Sequence, residues 1–430
     1  MKEMKLYNTL SDRLEPFEPS GPVVTVYVCG ITPYDTTHLG HAFTYTSADI
    51  LIRYLEAQGY KVNYVQNVTD IDDDILRKAK ETGEDWQELG NRWTAHFIED
   101  MQVLNVRPPD YFPRATEVIP EMMPVIQQLL AAGVAYESGG SVYFDINAWP
   151  DYGKLSRLSQ PEMLPVANEH GNNPDDPHKR NPLDFVLWQA QAPGEPAWNS
   201  LWGPGRPGWH IECSTMATHF LGETIDIHYG GADLIFPHHE SEIAQVEPIT
   251  GKKPFARFWL HTAMVHHGAE KMSKSLGNLV MVRDLLEAWP PGALRLYLGM
   301  HHYRKPWSYD TARLEQAAYL ARKLRSTLTI SGGHGSLLDP ASAQAAFKQA
   351  MNNDLDTPEA IVVMNDLAEE IISTAEAGWQ IEMAQQVLRI MGHTFGLRLD
   401  AMQEQDVRTG WEKHLERFKV ERDELVQEPA

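Results

Sequence analysis

The chain has 430 residues, too many for one simple core, and its 43% hydrophobic and 22% charged content is that of an ordinary globular protein. With 59 acidic against 37 basic residues the net charge is −22, which argues against a wide basic face for nucleic acid. Two cysteines exclude a disulfide framework and fit a reducing cytoplasm, no apolar run nears the roughly 20 residues of a membrane span, and the polar, mixed-charge N-terminus carries no signal or transit pattern. The expectation is a cytoplasmic protein of two or three domains, with no membrane association and no obligate protein partner.

Val23 to Val28 (VVTVYV) reads as a buried strand between Gly21-Pro22 and Cys29-Gly30. From Thr37, Ala42, Tyr45, Ala48, Ile52 and Leu55 follow a helical period that stops at Gly59, and Lys61 to Asn67 reads as a second strand. Strand, helix, strand predicts a βαβ unit and a parallel sheet. At its turn stands His38-Leu39-Gly40-His41, where a helix N-terminus suits phosphate, although so short a pattern also arises by chance. Asp70 to Asp74 reads as an acidic helix start rather than a metal loop.

Helices are expected over 85–104 and 117–132, a strand over 140–146, and a polar loop over 168–182. Trp188, Trp198 and Trp202 read as core or loop anchors, and Ile225 to His228 and Phe255 to His261 as further strands. The loop around KMSKS carries Lys271, Ser273, Lys274 and Ser275, donors suited to a phosphoryl or pyrophosphate group or simply an exposed polar loop. Helical periods near 311–330, 341–351, 358–376 and 379–395 predict a bundle, and the tail from Trp411 reads as one charged helix with no further domain behind it.

The richest stretch is Trp209 to Glu242, with Cys213, a Gly-Gly-Ala-Asp turn and a His-His-Glu-Ser-Glu run. On a helix opened by Pro237, His238 and Glu242 would share one face a turn apart. Thiolate, imidazole and carboxylate are zinc's ligand types, but a buried cysteine beside a solvated acidic helix face answers the same spacing.

HLGH after the first strand and KMSKS after the last resemble the paired signatures of class I aminoacyl-tRNA synthetases. YVCG at 27–30, NVTDIDDDI at 67–75, GRPGWHIECS at 205–214, GGADLIFPHHESEIAQ at 230–245 and KMSKSLGN at 271–278 are similar to the cysteinyl-tRNA synthetase family. Asn353 to Pro358 resembles that family's bundle more weakly. The resemblance implies an α/β fold: a Rossmann-type parallel-sheet catalytic domain over 1–105 and 196–300, a connective insertion over 106–195, and a helical bundle over 301–430 without a full anticodon-binding domain.

It also implies one zinc ion per chain on Cys29, Cys213, His238 and Glu242, with Asp233 on the α-ammonium of L-cysteine, Trp209 walling the amino-acid pocket and Thr69 nearby. ATP, with Mg²⁺, would meet His38, Gly40, His41, Gly230 and Gly231, and Lys271 and Lys274 would steady the leaving pyrophosphate. The product would be cysteinyl adenylate. ITPYD and HLGHA depart from the PTVYD and HIGNA of typical cysteinyl-tRNA synthetases, toward the short branch that joins cysteine to glucosaminyl-inositol in mycothiol synthesis. Tyr229 stands where a third glycine is common. The acceptor implied is the amine of glucosaminyl-inositol, the alternatives being tRNA or a silent paralogue that senses cysteine or ATP.

Overall fold

The protein is seen in a computed structural model that describes residues 3–34, 37–268, 270–272, 277–399 and 407–417. The chain opens on a hairpin, β1 (Lys5–Asn8) and β2 (Arg13–Pro16), followed by β3 (Val23–Ile31), α1 (Leu39–Ala57) and β4 (Lys61–Val68). Next come α2 (Asp73–Thr82), α3 (Trp86–Val103), α4 (Ile119–Ala131), β5 (Ala135–Ser138), β6 (Ser141–Phe144), α5 (Gln160–Glu169), β7 (Phe185–Ala190) and β8 (Gly205–Pro207). The second half runs α6 (Trp209–Leu221), β9 (Ile225–Gly231), α7 (Glu240–Thr250), β10 (Ala256–Thr262), β11 (Val265–His267), β12 (Glu270–Lys271), α8 (Val282–Ala288), α9 (Pro291–Gly299) and β13 (Trp307–Ser308). It ends in α10 (Thr311–Thr327), α11 (Ala341–Met351), α12 (Thr357–Glu376) and α13 (Glu382–Thr394), with a further helical stretch over 407–417.

The centre is a parallel sheet in the order β10-β9-β3-β4. β3 lies between two neighbours, and its β-branched run buries both faces. Side chains alternate across it: Val24, Val26 and Val28 join a core reaching through α1 to Leu294 in α9 and to Met364 and Leu388 in the bundle. Tyr27 and Cys29 face the other core, with Met122, Trp188, Cys213 and Ile243. The expected βαβ unit is present, and Asp72 caps α2 by accepting from the Asp74 amide at 2.7 Å, as the acidic-start reading requires.

Between the two halves of this sheet the chain forms a separate antiparallel sheet, β5-β6-β7-β8. Of it, sequence periodicity found only the region of β6; β5, β7, α5, α8 and α9 are short pieces without a period of their own. The helices expected over 311–330 and 379–395 end earlier or start later, as α10 and α13. Trp188 is buried in this insertion's core, with Trp202 packed on it at 6.0 Å. Of the tail expected as one helix, 411–417 are helical and the remainder lies outside the described residues.

Candidate active site and metal centre

The site forms where the parallel strands end. The register of β3 against β4 shifts between Val28 and Ile31, and there the Gly30 amide donates to Asn67 Oδ1 at 2.7 Å. A Cβ on Gly30 would stand 1.5 Å from the Asn67 carbonyl oxygen, so only glycine fits this bulge. Asn67 also donates to Thr69 Oγ1 at 3.2 Å, and Tyr45 OH donates to the Cys29 carbonyl at 3.3 Å. Cys29 and Thr69, remote in sequence, thereby line one pocket of about 300 Å³ with His38, Gly40, His41, Trp209, Cys213, Gly231, Asp233 and His238.

α6 brings Trp209 and Cys213 together on its first turns. Its entry at Gly208 lies so close to β7 that a Cβ would meet the Val186 carbonyl at 2.0 Å. His238 and Glu242 do come together, but not as the sequence suggested. α7 begins only at Glu240; Ile235 to His239 form a separate wide turn in which Phe236 is extended, at φ −140° and ψ 134°. Pro237 therefore does not open the helix, because the turn bends the chain so that consecutive histidines serve different partners.

Two donor sets result, sharing Cys29 and Glu242: one adds Cys213 and His238, the other His228 and His239, with all donor atoms in each within 4.8 Å of one another. Every one of these residues is buried. His238 Nε2 lies 3.3 Å from Glu242 Oε1, and its Nδ1 is 3.0 Å from His210 Nδ1. Trp209 stacks on His238 at 4.4 Å. Behind them, His228 Nε2 meets Glu242 Oε2 at 2.9 Å, His239 Nε2 meets Cys29 Sγ at 3.3 Å, and His239 passes through His261 to Thr9 Oγ1 in steps of 2.8 and 2.7 Å. His210, His228, His239 and His261 were not found from sequence; the adjacent His238-His239 pair was the one visible trace of them.

Burial pushes the Glu242 carboxyl and the Cys29 thiol well above their usual ranges, with Cys213 beside Cys29 adding to its rise. Burial likewise drives His238 and His239 well below the ordinary imidazole range, and His228 and His261 down to about 3. A dication would reverse the balance for its ligands, since thiolate and carboxylate bind it ionised and imidazole neutral. A tetrahedral zinc places its donors roughly 3.3–3.8 Å apart, so the groups need only a small contraction to close on one ion. Of the two sets, the one with Cys213 and His238 fits a substrate-facing ion: Cys29, Cys213 and His238 line the pocket, whereas His228 and His239 stand behind it. Each then serves as an outer partner, on Glu242 and Cys29 respectively.

The opposite wall is the start of α1. His38 is its N-cap, with Nδ1 accepting from the amides of Gly40 at 3.1 Å and His41 at 3.4 Å. Two amides that might have faced an anion are thus spent on the cap. A neutral His38 accepting at Nδ1 carries its proton on Nε2 and donates from there. His41 stacks on it at 3.7 Å, and a Cβ on Gly40 would come within 2.9 Å of the His38 ring.

Gly231 lines the pocket beside Asp233, but Gly230 does not. A Cβ on Gly230 would strike the His239 ring at 2.8 Å and Leu234 at 2.9 Å, so its hydrogen serves packing behind the wall. Tyr229 leaves the pocket clear: it is buried, with its hydroxyl 2.9 Å from Thr262 Oγ1. Lys271 lies in β12, paired with His266 of β11, and Lys274 falls outside the described residues.

Comparison with known proteins gives the family. The profile of the tRNA synthetases class I (C) catalytic domain matches residues 16–319, and that of the DALR domain matches 346–400. The chain belongs to the class I cysteinyl synthetase family, ligases that activate cysteine. It is 43% identical over 401 residues to a cysteine–tRNA ligase of Dehalococcoides mccartyi, covering 92% of this chain and 86% of that one. It is 44% identical over 374 residues to the L-cysteine:1D-myo-inositol 2-amino-2-deoxy-alpha-D-glucopyranoside ligase of Thermomonospora curvata, covering 86% and 89%. In fold it is similar to Mycobacterium tuberculosis methionyl-tRNA synthetase, with a TM-score of 0.63 at 17% identity over 90% of this chain and 92% of that one. Among the described residues no helix is long and apolar enough to cross a membrane.

Proposed function

We propose that this chain is a zinc-dependent ligase that activates L-cysteine with MgATP to cysteinyl adenylate and passes the cysteinyl group to the amine of glucosaminyl-inositol. The catalytic unit spans 1–105 and 196–300, the insertion 106–195 and the bundle 301–430. One observation carries the activation step: a buried Cys29–Cys213–His238–Glu242 set opens into the pocket that also holds Asp233 and the His38–His41 pair.

Asp233 receives the α-ammonium of cysteine, and Trp209, fixed by stacking on His238, closes the side-chain end. With its thiol end and ammonium held, the substrate presents its carboxylate toward the start of α1. There it attacks the α-phosphorus, and pyrophosphate leaves. His38, donating from Nε2, and His41 hold phosphate oxygens, and Lys271 and Lys274 offset the charge that grows on the leaving group. The chain supplies no nucleophile; its part is positioning and charge stabilisation. Zinc, when bound by the four ligands, offers a site for a thiolate that serine's harder, far less acidic hydroxyl does not match, so discrimination needs no editing.

A second reading, transfer to the 3′ end of tRNA, is favoured by the cysteine–tRNA ligases among the relatives. Labelled cysteine, ATP and either acceptor decide between them. The expected result is label in glucosaminyl-inositol; charging of tRNA at a useful rate would replace the first reading with the second. Absence of cysteine-dependent ATP–pyrophosphate exchange in zinc-loaded protein would instead reveal a silent sensor.

A further inference from the structure

A second cavity, of about 640 Å³, opens beside the activation pocket and shares three walls with it: Thr32, Asp74 and Trp209. Its near side is the start of α2 and its far side the insertion, where the end of α5 and the loop through Asn172, Asn173 and Lys179 close over it. Nothing in the activation chemistry uses this space. Its size lies within the range of small-ligand sites.

Its charge is informative. Five carboxylates (Asp72, Asp73, Asp74, Glu169 and Asp176) face three cations. Each cation already has a partner: Arg77 is 2.5 Å from Asp74, Arg206 pairs with Asp73 and Glu195, and Lys179 Nζ is 2.6 Å from Asn172 Oδ1. A phosphodiester chain entering here would meet excess negative charge, with five carboxylates against three cations, whereas an ammonium would be drawn in. Gln189 adds a neutral amide able to pair with hydroxyls.

Resting on the proposed activation of cysteine, we infer that this cavity is the acceptor site and that its ligand is a small polyhydroxylated amine. The amine reaches the adenylate past Trp209 and Asp74. The ammonium first gives one proton to solvent. Its nitrogen lone pair then attacks the carbonyl carbon of cysteinyl adenylate, the C–N bond forms, and the C–O bond to phosphate breaks with its electron pair leaving on AMP. The second nitrogen proton passes to the departing phosphate or to water. The insertion is thus the element that selects the acceptor, separate from the zinc pocket that selects the amino acid.

The test uses the full-length zinc-loaded protein with glucosaminyl-inositol as the probe, and Asn173→Trp to fill the cavity from its exposed loop. The expected result is a rise of about tenfold or more in the KM for the amine, with cysteine-dependent ATP–pyrophosphate exchange within about twofold of wild type. Asn173→Ala, which opens the same wall, keeps the KM near wild type and separates filling from a folding defect. An unchanged amine KM in Asn173→Trp, or charging of tRNA in place of the amine, overturns the acceptor site while leaving cysteine activation standing. Loss of exchange in the wild type itself overturns the activation reading and this one with it.

Discussion

Two buried polar clusters lie on opposite sides of the parallel sheet, and they differ in how their charge is balanced. On the bundle side, Asp49 of α1 meets Arg53 at 2.9 Å and Arg295 of α9, and accepts from the Arg107 amide at 2.8 Å. Arg53 and Arg295 also donate to the carbonyls of Asn105 and Leu104, each at 2.8 Å. Burial opposes ionisation of Asp49, yet the two guanidiniums outweigh it and hold the carboxyl below its usual range. On the other side Glu242 is equally buried, has neutral imidazoles and the thiols of Cys29 and Cys213 about it, and is pushed well up. The first cluster brings its own cations and is structural. The second has the geometry of a site completed by a cation from outside.

The comparison is broken most forcefully by removing a cation from the self-sufficient cluster. Arg295→Met leaves Asp49 half-compensated and frees the carbonyls of Leu104 and Phe395; unfolding in denaturant should show a loss of about 3–5 kcal/mol, with zinc per chain unchanged. A loss of zinc on the same scale would show the clusters to be coupled. The converse change, Cys213→Ser, should cut zinc affinity and cysteine-dependent exchange on the order of 100-fold and erase discrimination against serine, with a smaller effect on stability in chelator. Unchanged zinc occupancy refutes the ligand assignment.

A finer change, His239→Ala, removes the 3.3 Å contact to Cys29 while sparing the pocket wall. Metal titration should show about tenfold weaker zinc; an affinity loss as large as that of Cys213→Ser would make His239 a ligand and favour the rear donor set.

The smallest effect is in pH. Because the Asp49 carboxyl is depressed in the folded chain, its stabilisation is fully present above the unfolded value of about 3.9 and is lost as pH falls through the lower folded value. The stability gap between wild type and Asp49→Asn should therefore stay level through neutral pH and narrow only below about pH 4. A gap that closes near pH 6 would contradict the pairing.

How much of this was legible in sequence follows from how local each signal is. β3, α1 and β4 declare themselves through VVTVYV, an unbroken helical period and KVNYVQN, and the bundle through its long periods. β5, β7 and α5 have no such signal because they are stabilised by the insertion's own core around Trp188. In the site, Cys29 is a lone cysteine at a strand end. Only the family motif connected it to Cys213, and the bulge at Gly30 is what physically does so. The Pro237 helix start misled because a residue well suited to a first helical turn is equally at home in the turn before one. His228 and His239 were invisible because their partners, Glu242 and Cys29, are brought to them by the sheet and not by spacing. The motif implies a nucleotide contact at Gly230, whereas the His239 ring fills the space a side chain there would need.

The most direct measurement is ATP–pyrophosphate exchange in zinc-loaded protein, with cysteine and serine offered separately and in competition. The predicted result is exchange with cysteine alone, which falls on chelation and returns with zinc. Equal exchange with serine, or full exchange with cysteine in protein stripped of zinc, would contradict the claim that Cys29, Cys213, His238 and Glu242 hold the ion that reads the thiol.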